Sequence, residues 1–225
     1  MTTTLADLRL AARRRADQEF STFLSDAEYN ANINNSVAEL WDLLVSAYGN
    51  DYNLSQYNFV TVGNQESYDL PADMYKLRGV DAQITTQSWF ALRPYNFNER
   101  NRNENLAWGL LTGPTVRYQL FGSTIRFNPA PQGAYNIRLW YTPLPPVLTN
   151  DTDTLSDLNS FSEYVIVDAA IKALQKEESD VSVLMQQKEM LKKRIMEMSQ
   201  NRDAGQPETV ADIYAENNEY YFYRT

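Results

Sequence analysis

Three aspartates in one short polar stretch have the spacing that most resembles a binding site. Asp151, Asp153 and Asp157 are spaced like part of a calcium loop, in which carboxylate oxygens coordinate the ion. That loop also needs a glycine at its sixth position and a glutamate at its twelfth, and the sequence has neither. Because aspartate, asparagine and threonine favour turns, the stretch is predicted to be a polar linker without a metal.

The amino-acid composition excludes several kinds of catalytic site. The chain has no cysteine and no histidine, which excludes thiolate nucleophiles, zinc sites built from these ligands and histidine-based triads. The turns at 112–114 and 121–123 contain one glycine each, so no glycine-rich phosphate loop is present. A carboxylate pair for glycoside hydrolysis stays open, because the separation of such a pair depends on the fold. The sequence therefore predicts no enzyme, no cofactor and no metal.

The charge balance bears on the partners of the chain. Twenty basic residues stand against 29 acidic ones, a net charge of −9, whereas proteins that grip duplex DNA rely on basic surfaces. Trp89, Trp108 and Trp140 could stack on bases, but without a basic patch we interpret them as core and interface anchors. Fifteen tyrosines favour extensive protein–protein contact. With no leader-like segment after Met1 and no run of about 18 apolar residues, we expect no membrane contact.

Two consecutive helices, residues 160–178 and 179–200, are predicted near the C-terminus. The first begins with the capping-box spacing of Ser160 and Glu163, and it is apolar around more than half of its circumference, as in a helix packed on several sides. Ser179 is the expected N-cap of the second helix. Its single seam at three- and four-residue spacing comprises Val181, Leu184, Lys188, Leu191, Ile195 and Met198. The pair predicts half of a bundle, completed by other parts of the chain or by another copy.

Two helices are also predicted near the N-terminus. Capping-box spacings occur at Thr4 with Asp7 and at Ser25 with Glu28. The second helix is expected to stop at residues 49–50 and to pack against residues 160–178. Its apolar face consists of Ile33, Val37, Leu40, Trp41, Leu44, Val45 and Tyr48.

Three consecutive arginines lie within the first of these helices. Arg13, Arg14 and Arg15 fan over about 200° of the circumference, so they cannot share one face. They are interpreted as a solvated helix edge, as partners of an acidic neighbouring subunit, or as contacts to passing phosphates, and the residues leave these alternatives open. The candidates for a subunit interface are Arg13, Arg14, Arg15, Leu184, Leu191 and Ile195.

Between the helices the hydrophobic period changes from 3.6 to 2, which predicts about six short strands. A hairpin is expected around Gly63-Asn64, joining residues 59–62 to 68–70, and another around Gly122-Ser123 with a type II′ turn. Further strands are predicted at 76–84, 89–94 and 135–141, and a loop or short helix at 96–106. The strands suggest an antiparallel sandwich or small barrel inserted between the helices.

The predicted class is therefore α+β, with a discontinuous helical bundle of residues 1–56 and 144–200, an inserted β domain of 57–143 and an extended arm of 201–225. The arm follows a polar tether and ends in four consecutive aromatic residues that have no core of their own. We expect these side chains to dock on another chain, although folding back on the β domain is the alternative. The candidate docking residues are Val210, Ile213, Tyr214, Tyr220, Tyr221, Phe222, Tyr223 and Arg224.

This order of parts resembles the head-to-tail adaptor, or connector, proteins of short-tailed bacteriophages. The resemblance covers most of the chain and is carried by the residues at 24–49, YDLPADMYKL at 68–77, LFGSTIRFNPAP at 120–131, IRLWYTP at 137–143 and the helix at 163–178. It implies a structural virion protein, made in the host bacterial cytoplasm, that forms a ring beneath the portal. Such a ring is generally dodecameric.

The same resemblance implies the partners. They are the portal protein, gripped by the C-terminal arm, and the tail nozzle or tube protein, with tail fibres in addition. Genomic double-stranded DNA would pass through the channel without sequence-specific binding, which an acidic wall favours. A tail-tube or tail-completion component that never contacts the portal is the alternative. A cell-wall hydrolase is a remote one, suggested only by the acid-rich loops.

Overall fold

A computed structural model describes residues 3–48, 53–85, 88–100, 116–155 and 161–200. These residues form four α-helices, eight β-strands and one short 3₁₀ helix, Phe97–Glu99, which occupies part of the predicted loop or helix at 96–106. Helices lie at both ends of the described chain and strands lie between them. The predicted α+β class is confirmed. The division into a bundle, a β domain and an arm stays a prediction.

The helices are α1 Leu5–Arg15, α2 Asp26–Tyr48, α3 Ser162–Lys176 and α4 Ser182–Gln200. Two of them begin at the predicted capping boxes. The Thr4 hydroxyl oxygen accepts a hydrogen bond from the Asp7 N–H at 3.2 Å, and the Asp7 carboxylate accepts the Thr4 N–H in return. Ser25 and Glu28 make the same reciprocal pair before α2. Both predictions are confirmed. The expected stop at 49–50 lies outside the described residues.

The boundaries of α3 and α4 differ from the predicted ones. The N-cap of α3 is Phe161, which makes no side-chain cap hydrogen bond, and Ser160 lies outside the described residues. Glu178 ends α3 in a left-handed conformation at φ 58°, where the N–H of Ser179 bonds to a carbonyl of the last turn. Ser179 is thus part of this C-terminal motif and cannot be the N-cap of α4. Instead, the Asp180 carboxylate accepts the N–H of Ser182 at 2.9 Å.

One hydrophobic core joins the four helices. α2 packs against both α3 and α4, and α1 packs against α2 and α3, as the predicted pairing of α2 with residues 160–178 requires. The other half of the helical assembly therefore comes from the same chain. The buried residues of this core are Leu5, Leu8, Ala12, Leu24, Tyr29, Ile33, Val37, Leu40, Trp41, Leu44, Val45, Leu148, Leu155, Tyr164, Val165, Ala169, Ala173 and Ile195.

The strands form two four-stranded sheets. The first sheet has the order β1–β8–β3–β4, with β1 Ser55–Val60, β8 Asn136–Pro143, β3 Met74–Thr85 and β4 Ser88–Ala91. All of its neighbouring strands are antiparallel. The second sheet has the order β2–β7–β6–β5, with β2 Ser67–Asp69, β7 Thr124–Asn128, β6 Arg117–Phe121 and β5 Arg93–Pro94. In this sheet β5 runs parallel to β6.

A second hydrophobic core lies between residues of the two sheets. It contains the inward-facing Ile137 and Leu139 of β8, in agreement with the predicted alternation along that strand. The remaining buried members are Tyr68, Val80, Ala82, Leu92, Val116, Ile125 and Phe127. Both sheets thus bury one face on shared apolar side chains.

One predicted hairpin is correct and the other is wrong. β6 and β7 pair across the turn at Gly122, whose φ is 57°, as a type II′ turn requires. The strands on either side of Gly63-Asn64 do not pair, because β1 joins β8 in the first sheet and β2 joins β7 in the second. The predicted strand at 89–94 is likewise divided between the two sheets, as β4 and β5. Turn residues alone cannot distinguish a hairpin from a crossing between sheets.

Candidate interaction surfaces

A closed cluster of charges lies where α2, α3 and α4 meet. Asp168 has 2% of its side chain exposed, and its two carboxylate oxygens contact the Nζ atoms of Lys172 and Lys188 at 2.7 and 2.6 Å. The same two Nζ atoms contact the two carboxylate oxygens of Glu39 at 2.8 and 3.0 Å. Two carboxylates and two ammonium groups therefore alternate in a ring, which we call the charge ring. It explains why the apolar seam of α4 contains a lysine.

The charge ring favours the charged forms of Asp168 and Lys188. Burial opposes the ionisation of Asp168, but hydrogen bonds from Lys172, Lys188 and Ser36 outweigh it and lower the pKa of the carboxyl group. Burial likewise opposes the charged form of Lys188, and its hydrogen bonds to Asp168 and Glu39 raise the pKa of the ammonium group. A carboxylate held in this way is a poor proton donor and acceptor at neutral pH. The charge ring is therefore suited to joining helices and poorly suited to acid–base catalysis.

The aspartates of the calcium-like stretch have structural partners. The carboxylate of Asp151 makes a bidentate contact with the Arg9 guanidinium at 2.8 and 3.1 Å. Asp153 accepts backbone N–H groups of Asn150 and Thr149, which lower the pKa of its carboxyl group to about 2. Asp157 lies outside the described residues. Within the described ranges, no group of three or more acidic side chains could hold a metal ion.

One of the three arginines predicted at an interface, Arg13, lies deep in contacts of its own chain. Arg13 contacts Asp26 at 2.8 Å and donates to the carbonyls of Leu24 and Ser21 at 2.9 and 3.1 Å, and its guanidinium lies 4.3 Å from the Tyr29 ring centroid. It thereby fixes the connection between α1 and α2. Sequence reasoning missed this role, because the acceptors are mostly backbone carbonyls, which no side-chain pattern indicates.

The other two arginines also have acidic partners. Arg15 contacts Glu163 of α3 at 2.6 Å, and Arg14, more exposed, contacts Glu19 at 3.1 Å. These pairs are made within one subunit. A contact of the three arginines with a neighbouring subunit stays a prediction.

The predicted seam of α4 faces the helical core in its middle and is open at its end. Ile195 is 2% exposed, whereas Leu184 and Leu191 are half-buried. Met198 was expected on the seam but is 47% exposed. Further exposed apolar residues of α4 flank the seam on its two sides, with Val183 and Met190 on one side and Met185 and Met196 on the other. The interface role of α4 remains a prediction.

The outer face of the first sheet carries Trp89 and Trp140. The Arg138 guanidinium lies 4.0 Å from the Trp89 ring centroid and 5.6 Å from that of Trp140. The Trp140 Nε1–H donates to the Asp81 carboxylate at 2.7 Å. Trp89 is 37% exposed and Val60, in the same cross-strand row, is 54% exposed. Val60 and Trp89 thus lie at opposite edges of the sheet, in a row whose two middle positions are the polar Asn136 and Gln83.

Several predicted positions cannot be placed. The candidate docking residues of the arm, Val210, Ile213, Tyr214, Tyr220, Tyr221, Phe222, Tyr223 and Arg224, lie outside the described residues, and so do Trp108 and the turn at 112–114. No helix within the described residues has the length and apolar character needed to cross a membrane.

Comparison with known proteins gives one result that bears on these surfaces. Residues 3–211 match the family model described as SU10 adaptor protein. The match spans all four helices and all eight strands. No curated protein matches the chain.

Proposed function

Because the chain belongs to the SU10 adaptor protein family, whose members are structural head-to-tail adaptors of bacteriophage virions, we propose that it forms a homo-oligomeric ring beneath the portal. The ring, of twelve copies as in the adaptors that the chain resembles, extends the DNA channel and carries the tail nozzle or tube and the fibres. The observation that carries the proposal is the extent of the family match, which includes both hydrophobic cores.

The distribution of apolar surface supports a protein that assembles through several faces. Phe20, in the connection between α1 and α2, is 94% exposed, and Val147, in the segment that returns from β8, is 70% exposed. The two flanks of α4 and the edge strands of the first sheet add further exposed apolar side chains, among them Met190, Val60 and Trp89. Exposed apolar side chains on several elements are the kind of surface that protein–protein contacts bury. The domains proposed for the ring are residues 1–56 with 144–200, residues 57–143 and the arm at 201–225.

The charges support passage of DNA without tight binding. The net charge is −9, and the arginines at 13–15 are held by carboxylates of the same chain. Tight phosphate binding needs lysines and arginines that are free to displace counterions. A channel wall with few such groups lets the duplex slide.

The test is assembly with the portal. We expect a mass measurement of purified protein plus portal to give a complex with a fixed number of copies per portal. A chain that lacks residues 209–225 should lose portal binding and keep its fold, as measured by circular dichroism. A truncated chain that binds the portal normally would remove the arm from the mechanism. If the full chain does not bind the portal but binds tail proteins in pull-down experiments, the protein is a tail-completion component.

A further inference from the structure

The open edges of the first sheet differ from those of the second sheet. The edge strands of the first sheet, β1 and β4, are six and four residues long, and neither contains a charged residue or a proline. In the second sheet the edge strands are three and two residues long and carry Asp69, Arg93 and Pro94. Short, charged or proline-containing edges protect a sheet against pairing with another chain. The second sheet has all of these protections, whereas the edge strands of the first sheet lack the charged residues and the proline.

The directions of the edge strands also distinguish the two sheets. The three neighbouring pairs of the first sheet are all antiparallel, so β1 and β4 run in opposite directions. If β4 of one copy lies beside β1 of an identically oriented copy, the new pair is antiparallel and the alternation continues. In the second sheet the parallel β5–β6 pair makes both edges run in the same direction. Only the first sheet can therefore be extended head to tail by an antiparallel pair.

The hydrogen-bonding groups on the open side of each edge can be assigned. The Thr61 N–H donates to Tyr135 O, and hydrogen-bonded pairs alternate along an antiparallel ladder. The backbone groups of Gln56, Asn58 and Val60 consequently point away from β8. At the other edge, the Leu92 N–H donates to Val80 O. The backbone groups of Trp89 and Ala91 therefore point away from β3. No partner for these groups occurs among the residues that the structure describes.

We propose that β4 of one subunit pairs with β1 of the next, so that the first sheets of neighbouring copies join into one antiparallel sheet around the ring. This inference rests on the proposed ring. Val60 and Trp89 lie in one cross-strand row and are both exposed apolar residues. The pairing places Trp89 opposite Val60 and Ala91 opposite Asn58, which buries that apolar pair and adds about four backbone hydrogen bonds.

A second copy is the occupant that uses both edges at once. A contact between β1 and β1 of two copies would also be antiparallel, but it would form a closed dimer and leave β4 open. Head-to-tail pairing leaves no open edge in a closed ring, and it is the heterologous type of contact from which rings are built. The exposed apolar surface at β1 and β4 then lies within one interface.

Disulfide formation tests the pairing and its register, because the chain has no cysteine of its own. In the double variant Asn58→Cys/Ala91→Cys, the two positions of one chain lie on strands separated by two others, about 14 Å apart, too far for a disulfide. Under oxidising conditions we expect a ladder of covalent oligomers up to the full ring on a denaturing gel. The offset pair Gln56→Cys/Ala91→Cys should give much less product, because diagonal positions are about 7–8 Å apart.

Matched controls separate this contact from others. Ser67→Cys/Arg93→Cys places the same pair on the edges of the second sheet and should give no ladder. A dimer from the single variant Asn58→Cys would show that β1 pairs with β1 and would overturn the inference. A ladder that appears only in a chain truncated after Gln200 would do the same, since it would show that residues 201–225 cover the edge.

A proline variant provides the complementary test. Asn58→Pro removes an N–H on the open side of β1 and leaves the hydrogen bonds to β8 intact, so we expect an unchanged melting temperature and at least a tenfold loss of ring on size-exclusion chromatography. Ser67→Pro, which removes an outward N–H of β2, should assemble normally. Rings that form without cross-links would refute the pairing and leave the adaptor function standing. Absence of any ring with the portal would refute the proposed function itself.

Discussion

Polar groups are fully paired in the charge ring, whereas outward backbone polar groups at the edges of the first sheet have no partner within the described residues. In the charge ring, Asp168 and Glu39 are saturated by two lysines at 2.6 to 3.0 Å, all within one chain. At β1 and β4, outward backbone groups have no partner among the described residues. The comparison teaches that the helical core pairs its charges within one chain, whereas the first sheet keeps two open edges for the proposed pairing. Stability and assembly should therefore respond to different substitutions.

The largest effect on stability is expected from Asp168→Asn. Removing the charge of the buried member leaves two ammonium groups with Glu39 as their one shared carboxylate in the charge ring, and the loss of a buried partner costs about 3–5 kcal/mol. Denaturant titration gives the free energy of unfolding of the variant and of the wild type, and the difference measures this loss of stability. Lys176→Gln is the matched control, because Lys176 pairs with Glu28 at the surface, where a pair contributes about 0–1 kcal/mol. Equal effects of the two variants would show that the charge ring does not stabilise the core.

The pH dependence of the unfolding free energy gives a second test of the charge ring. The pKa of Asp168 is lower in the folded chain than its ordinary value of about 3.9. Its contribution to stability is therefore present above that value and is lost as the pH falls through the folded pKa. We expect the difference in unfolding free energy between the wild type and Asp168→Asn to be constant from pH 5 to 7 and to shrink below about pH 4. A difference that is constant down to pH 2 would contradict the assignment.

At the alkaline end the sign is reversed. The pKa of Lys188 is raised on folding, so its contribution is present below its ordinary value of about 10.4 and is lost as the pH rises through the folded pKa. In Lys188→Met, which keeps the length of the side chain, this alkaline loss should be absent. Thermal melts between pH 9 and 11.5 test the point.

A smaller effect is expected at the start of α2. Ser25→Ala removes the oxygen that accepts the Glu28 N–H, and loss of an N-cap costs about 1 kcal/mol. Because α2 contributes to the helical core, the whole cooperative unfolding transition should shift by that amount. Ser25→Asp, which restores an acceptor, should recover most of it. No recovery would mean that the serine acts in another way.

The smallest effect on stability and the largest on assembly are expected from Val60→Lys. The side chain is 54% exposed on the edge strand, so the free energy of unfolding should change by less than about 0.5 kcal/mol. A lysine on an edge strand opposes pairing with another chain, and ring formation should fall steeply. Analytical ultracentrifugation compares ring formation by Val60→Lys with ring formation by Asp168→Asn. The contrast fails if both variants lose stability and assembly in parallel.

The parts of the fold that the sequence predicts are those determined by neighbours along the chain. The capping boxes at Thr4 and Ser25 need only residues three positions apart, and the turn at Gly122 needs only two strands in succession. The hairpin at Gly63-Asn64 was wrong because β1 takes its partner from residues about 80 positions later, beyond any local pattern.

The candidate sites show the same limit. Lys188 stood out on α4 as a polar residue in an apolar seam, but its partners, Asp168 and Glu39, are brought to it by the packing of three helices. Arg9 and Asp151 pair across 142 positions of sequence. Spacing thus identified the unusual residues, and only the fold could supply what they bind.

The position of Lys188 has a mechanical consequence. α4 is the last element before residue 201, so tension applied to the C-terminal segment enters the molecule through this helix. Ile195 lies nearer the pulled end, and Lys188, about two turns further in, is joined to α3 by Asp168 and to α2 by Glu39. A load would thus be shared between two helices before it reached the strands of the first sheet.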